Sequence, residues 1–293
     1  MTDDTRLFPD RESLCREAAG ALLRILADGV RDRGTASAVL TGGGTGTGIL
    51  AALSDLVSSA SNVSEASGAS AGFRNPDLRM PDWSRVHLWW GDERFLPTGD
   101  PDRNEQQAEE ALLQELTARH GMPAENIHRM PAADSPTGAQ TMPPETRATQ
   151  MTESITRAAE AYASELAAQA RVDPGPDDRL PVFDVVMLGV GPDAHVASLF
   201  PGQPGPLARG ATVIEVEDSP KPPPQRLSLT VEALNTATRL WFVVAGADKA
   251  EAVAEVRHAR DDKTTDAARW PASVVSGRDA TVWWVDGAAA NQA

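Results

Sequence analysis

The stretch that most constrains this chain lies at residues 183–201, where FDVVML runs directly into GVGPDAHVASLFP. Val185, Val186, Met187 and Leu188 form an apolar, partly β-branched run of strand type, and Gly189 and Gly191 break it. The glycine-rich turn therefore delivers Asp193 and His195 beyond a strand's carboxyl end, which is where open α/β sheets bind ligands. A histidine on such a turn, with a carboxylate two residues away, can move a proton near neutral pH, since unperturbed imidazole titrates at roughly 6.5. The plainer alternative is a glycine turn ending in a solvated histidine.

Strand, glycine turn and helix follow one another elsewhere too. Residues 36–40 form a short apolar strand, then come Thr41 and GGGTGTG at 42–48, and an apolar helix starts at Ile49. Before them, Leu14, Ala18, Leu22, Leu23, Ile25 and Leu26 share helical spacing over residues 10–30, with Asp10 or Ser13 placed to cap the start. VHLWW at 86–90 is a buried strand whose tryptophans belong to the core, and helices are expected over 104–116 and 154–170. Residues 211–216, 240–245 and 281–285 complete the strands, with a helix over 250–256 between the last two. This alternation predicts an α/β fold with a mostly parallel sheet and helices on both faces. One domain over residues 1–293 is expected, with polar insertions near 54–82 and 131–150 and no internal repeat.

Charge and cysteine content narrow the function. Asp plus Glu number 42 against 27 Lys plus Arg, a formal net charge of −15, and a field of that sign repels phosphate backbones and anionic membranes. Nucleic acid and membrane partners are not expected, and an anionic small-molecule substrate requires cations gathered locally. Cys15 is the single cysteine, so the chain has no internal disulfide and no thiolate metal cluster. The N-terminal MTDDTRLFPDRESL lacks the pattern of a signal peptide, and no apolar run approaches the roughly 20 residues that span a bilayer. A cytoplasmic protein, monomeric or a small homo-oligomer, is expected.

Several further segments carry candidate chemistry. The 42–48 turn offers backbone N–H groups before a helix N-terminus, suited to an anion such as phosphate. It fits neither a dinucleotide fingerprint, whose glycine spacing it lacks, nor a nucleotide P-loop, since Ile49 stands where Lys belongs. Asp92, Glu93 and Arg94 follow a strand too apolar to be solvated, so they point to a crevice or a loop ion network, and Arg94 has the fork that grips phosphate or carboxylate. SPKPPPQR at 219–226 is either a proline-stiffened spacer or a rigid loop presenting Lys221 and Arg226 to an anion. Lys249, just after Gly246, is placed to serve the same anion. His87, His120, His128 and His258 show no partner pattern and are taken as structural or solvated. No metal is expected, because HExxH, paired cysteines and an EF-hand ligand run are all missing.

Taken together, LTGGGTGTG, WWGDERFLP followed by DRNEQQA, LGVGPDAHVASLFPG, SPKPPPQRLSLT and VAGADKAEAV resemble the 6-phosphogluconolactonase family in content and order, over about residues 39–256. The resemblance implies a Rossmann-like fold shared with glucosamine-6-phosphate deaminases and metal-free, cofactor-free hydrolysis of 6-phosphoglucono-δ-lactone in the oxidative pentose phosphate pathway. It implies that His195 is the acid/base residue and that Asp193 places it. It also implies that Gly43, Gly44, Thr45, Arg94, Lys221, Arg226 and Lys249 surround the sugar phosphate, with Asp92 beside them. Ala194 departs from the family's usual glycine and is expected to tighten the turn, since Ala tolerates positive φ poorly. The alternative is an amino-sugar phosphate deaminase or isomerase on the same fold, with Asp92 abstracting a proton. Against it, Ser198, Leu199 and Phe200 stand where deaminases continue with Phe-Asn-Glu, and Arg94 where they carry Tyr. A non-enzymatic sugar-phosphate sensor would use the same pocket without turnover.

Overall fold

The computed structural model describes residues 2–65, 79–133 and 143–291. Its first elements are β1 (Thr2–Phe8), α1 (Arg11–Arg33), β2 (Ala36–Leu40), α2 (Gly43–Glu65), β3 (Val86–Trp90) and β4 (Asp92–Arg94). α3 (Asn104–Ala108) passes through a π-helical turn at Glu109–Leu113 into α4 (Gln114–Arg119), and α5 (Pro144–Ala170) precedes β5 (Val185–Leu188). Then follow β6 (Val213–Val216), β7 (Arg226–Leu229), α6 (Val231–Leu234), β8 (Arg239–Val244), α7 (Ala250–Asp261), β9 (Ala280–Asp286) and α8 (Gly287–Ala290).

Six strands form one sheet in the order β1, β9, β8, β5, β2, β3, with every pairing parallel. Every residue of β2 and β5 is buried, the pattern of strands covered on both faces. From β2 the chain travels to β3 on one side, and from β5 to β8 on the other, so the order reverses between β2 and β5. That reversal opens a crevice at the carboxyl ends of these two strands, and the turns after Leu40 and Leu188 stand at its mouth. A second, antiparallel sheet of β4, β7 and β6 adjoins it: β4 follows β3 after Gly91, whose carbonyl accepts a bond of 2.8 Å from Leu229 N–H.

Local signals set both ends of α1. Asp10 caps α1 by accepting the Ser13 N–H at 2.8 Å, and Gly34 ends the helix at φ 80°. Across the sheet, Arg33 grips Asp184 through two bonds of 2.7 and 2.9 Å, and Asp184 also accepts the Ser37 N–H, tying α1 to the starts of β2 and β5. His87 and His128 have partners that the sequence did not reveal. His87 Nδ1 lies 2.9 Å from His128 Nε2, His128 Nδ1 lies 2.6 Å from Glu165 Oε1, and the His128 ring stacks on Trp89. This is packing near the start of β3; burial, with His128 beside it, pushes the His87 imidazole down to about 4.

Three expectations need correction, and one strand was not foreseen. The 42–48 turn is mostly helix, because α2 begins at Gly43, where φ of 77° demands glycine, and not at Ile49. Residues 54–65 continue α2, and residues 144–150 belong to α5, so the expected insertions at 54–82 and 131–150 are shorter; their centres, 66–78 and 134–142, lie outside the described residues. Asp92, Glu93 and Arg94 form a strand and not a loop, pairing with β7, which begins at Arg226. The N-terminal TDDTRLF is an edge strand, unforeseen because its partner β9 lies at the far end of the chain.

Candidate active site

One cleft of about 280 Å³ sits over the crevice between β2 and β5. Gly43, Gly44 and Thr45 form one wall at the start of α2, His195 stands on the turn after β5, and Asp92, Arg94, Lys221, Arg226 and Lys249 also line the cleft. Asp193 is the one sequence-expected residue outside the lining, and it reaches the cleft through His195: its Oδ1 lies 2.5 Å from His195 Nδ1. Segments spread over about two hundred residues thus converge because each ends a strand of one sheet or belongs to the small sheet beside it.

The turn that carries His195 is strained and braced. Ala194 adopts φ 63° and Ala197 φ 48°, left-handed conformations that cost a non-glycine residue roughly 1–2 kcal/mol each. Ala194 is buried and its carbonyl accepts from Ala272 N–H at 3.0 Å, while Gly191 N–H donates to the His195 carbonyl at 2.9 Å. Ala194 therefore holds a left-handed conformation that glycine would adopt more readily, at an energetic cost. Gly191 is required for a different reason: a Cβ there would lie 2.0 Å from His195 Nδ1. Phe200 packs against the other side of the imidazole, ring centroids 4.6 Å apart.

Burial raises the Asp193 carboxyl, but the hydrogen bond and charge of His195, with Lys221 further off, outweigh it and bring the group down to about 2. Asp193 is thus a carboxylate that orients the imidazole through Nδ1 and leaves Nε2 for chemistry. On the facing side the charges repel one another. Arg94 and Arg226 stand directly opposite on β4 and β7, an arrangement that destabilises a sheet unless something offsets it. Burial lowers the Arg226 pKa, and Arg94 lowers it further against the pull of Asp92. Burial likewise lowers the Lys221 pKa, opposed by Asp193 and reinforced by Lys249 and Arg226. Cations crowded and half-buried in a chain of net charge −15 are poised for an anion.

The family model described as glucosamine-6-phosphate isomerases/6-phosphogluconolactonase matches residues 9–284. The chain belongs to this family. It is 41% identical to a 6-phosphogluconolactonase of Streptomyces coelicolor over 294 residues, covering 100% of this chain and 96% of that protein. It is 36% identical to the Mycobacterium tuberculosis 6-phosphogluconolactonase over 98% of this chain and 96% of that one. A crystal structure of a Thermotoga maritima 6-phosphogluconolactonase superposes with TM-score 0.67 over 97% of this chain and 100% of that one; at 23% identity it speaks to the fold alone.

Within this member of the lactonase family, sequence reasoning missed Asn104 and Arg103 and left the partners of Glu93 unread. Asn104 lines the cleft and donates through Nδ2 to the Asp92 carbonyl at 2.9 Å. Arg103, fully buried, bonds the carbonyls of Leu96 and Met130 and the Glu105 carboxylate, and so shapes the segment that presents Arg94. Glu93 accepts the N–H groups of Arg94, Asn104 and Glu105; burial raises its carboxyl to about 7 against the pull of Arg103 and those donors. The signal for Arg103 and Asn104 was the DRNEQQA block, in which both residues are buried and bond backbone carbonyls of β4. Ser198, third after His195, was read only as a departure from deaminases, yet its hydroxyl donates to Asp92.

Proposed function

We propose that the chain hydrolyses 6-phosphoglucono-δ-lactone to 6-phosphogluconate, in the oxidative pentose phosphate pathway, with His195 as general base and acid. The observation that carries the reading is the His195–Asp193 pair on one wall of a cleft whose other walls hold the α2 glycine turn and the cations Arg94, Lys221, Arg226 and Lys249, two of which, Arg94 and Arg226, stand opposite each other. Asp193 accepts the Nδ1 proton, so Nε2 is free to take a proton from water as the water oxygen bonds to the lactone carbonyl carbon. The tetrahedral intermediate then collapses, the bond from C1 to the ring oxygen breaks, and Nε2–H returns its proton to that oxygen as it becomes a hydroxyl. No group other than water is consumed. Gly43, Gly44, Thr45, Arg94, Lys221, Arg226 and Lys249 bind the sugar phosphate, and that remote anchorage orients the reacting carbonyl.

The same reading assigns the protein a small-molecule sugar phosphate and no nucleic acid, in keeping with its negative charge, and a cytoplasmic setting, in keeping with its single cysteine. Among the described residues, no helix is long and apolar enough to cross a membrane. The test is a coupled assay on freshly generated lactone, whose loss with protein must exceed the fast spontaneous rate. His195→Ala is expected to remove most of the excess while 6-phosphogluconate still binds. Turnover unchanged in that variant would transfer the proton role elsewhere, and ammonia released from glucosamine 6-phosphate by the parent chain would favour the deaminase reading.

A further inference from the structure

Asp92 sits in the cleft with its two carboxylate oxygens in different circumstances. Oδ2 accepts from Ser198 Oγ at 2.7 Å, a contact between residues 106 positions apart and both buried. Oδ1 accepts from no group among the described residues, although Asp92 lines the cleft. Asp92 is also held from the backbone, since its carbonyl accepts from Asn104 and its strand position faces Ser228. Ser228 Oγ in turn accepts the Ser198 N–H at 3.3 Å, so Ser198 is pinned to the small sheet by both its backbone and its side chain. Ala197, between His195 and Ser198, holds a left-handed conformation at φ 48°, a strained state of the kind that surrounding contacts must maintain.

We infer that Ser198 is a positioning residue for substrate recognition: it holds Asp92 so that Oδ1 accepts a hydrogen bond from one hydroxyl of the sugar ring, and it fixes that carboxylate relative to His195. The inference rests on the lactonase reading above. A carboxylate with one oxygen occupied presents a single acceptor of fixed direction, which suits a hydroxyl donor and nothing anionic. The surrounding cations take the phosphate, and Asp92, the buried acid among them, takes the part of the substrate that donates. Recognition of this kind discriminates strongly, because a substrate lacking the hydroxyl leaves the acceptor buried and unpaired.

The test compares the full chain with Ser198→Ala and Ser198→Thr on 6-phosphoglucono-δ-lactone and on analogues each lacking one ring hydroxyl. Ser198→Ala is expected to lower kcat/KM for the parent lactone about 10- to 100-fold, the size of one hydrogen bond to a charged group, while Ser198→Thr restores it to within about 3-fold. The parent chain is expected to lose a similar factor on one analogue only, and on that analogue Ser198→Ala is expected to add little further loss. Asp92→Asn, which retains an acceptor but alters its charge, provides a second variant, and a thermal melt verifies that each variant is folded. An equal penalty from Ser198→Ala on every lactone, or no penalty at all, overturns the inference. If the parent chain fails to accelerate lactone hydrolysis, the lactonase reading itself has failed; if it succeeds and the analogue pattern is missing, only the role of Ser198 has.

Discussion

Replacing Gly191 with alanine tests the catalytic geometry without touching any group that reacts. A Cβ at that position would lie 2.0 Å from His195 Nδ1, 2.1 Å from its Cε1 and 2.5 Å from Asp193 Oδ1. Carbon and nitrogen in ordinary contact sit about 3.5 Å apart, so the ring must retreat by about 1.5 Å or the turn must open. Either movement disturbs the 2.5 Å contact between Asp193 and His195, and Phe200, its ring centroid 4.6 Å from that of the imidazole, limits the room to move. Misplacing a reacting group by about 1 Å costs on the order of 100-fold, and full loss of acid/base assistance costs about 10²- to 10⁴-fold. Gly191→Ala is therefore expected to lower kcat by a factor in that range. KM should stay within about 3-fold of the parent value, because Lys221, Arg226 and Lys249 are left in place. The assay is initial-rate hydrolysis of fresh lactone at low temperature with the spontaneous rate subtracted, alongside a thermal melt to show that the variant is folded. A folded variant with kcat unchanged, or one with raised KM and intact kcat, would falsify the placement of the imidazole as the group that moves the proton.

Three other outcomes follow from the same geometry. Lys221→Met is expected to raise KM about 10- to 100-fold with kcat nearly kept, as for a group that binds phosphate equally in ground and transition states; a pure kcat loss in steady-state kinetics would give Lys221 a different task. Ala194→Gly is expected to change unfolding free energy by less than about 1 kcal/mol, since relief of roughly 1–2 kcal/mol of left-handed strain is offset by about 0.4–1 kcal/mol of added chain entropy and about 0.8 kcal/mol for the buried methyl. A denaturant titration showing a loss above about 2 kcal/mol would mean that the methyl packing, and not the strain, dominates at this position. Because the folded Asp193 carboxyl is held down at about 2 against an ordinary 3.8, its stabilisation is present above the ordinary value and lost as pH falls through the folded one. The gap in stability between the parent chain and Asp193→Asn should accordingly narrow as pH is lowered from about 5 toward about 2, and a gap that widens in acid unfolding would reverse the sign.

The readable parts of the site shared one property: their signal lay within a dozen neighbouring residues. The apolar run at 185–188 and the glycines after it placed His195 and Asp193 at a strand end, and the SPKPPPQR and ADK segments marked Lys221, Arg226 and Lys249 as cations, although Arg226, read as part of a loop, begins β7. The unread parts lacked such a signal. TDDTRLF has a polar strand pattern that only pairing with β9 stabilises, and DER carries too few residues to show an alternation. The glycine-rich start of α2 is poor helix sequence by propensity, yet it is helical because the following residues pack against α1 and the core.

By itself the amino-acid sequence determined most strands of the large sheet, about where they stop, and which reactive side chains follow them, because backbone preference and apolar periodicity act over a few residues. Only the tertiary structure decided that the strand order reverses between β2 and β5, that Arg94 faces Arg226 across two strands, and that Ser198 reaches Asp92. Those pairings depend on sheet order and on burying apolar faces together, a balance struck over the whole chain, and no short stretch of residues encodes it.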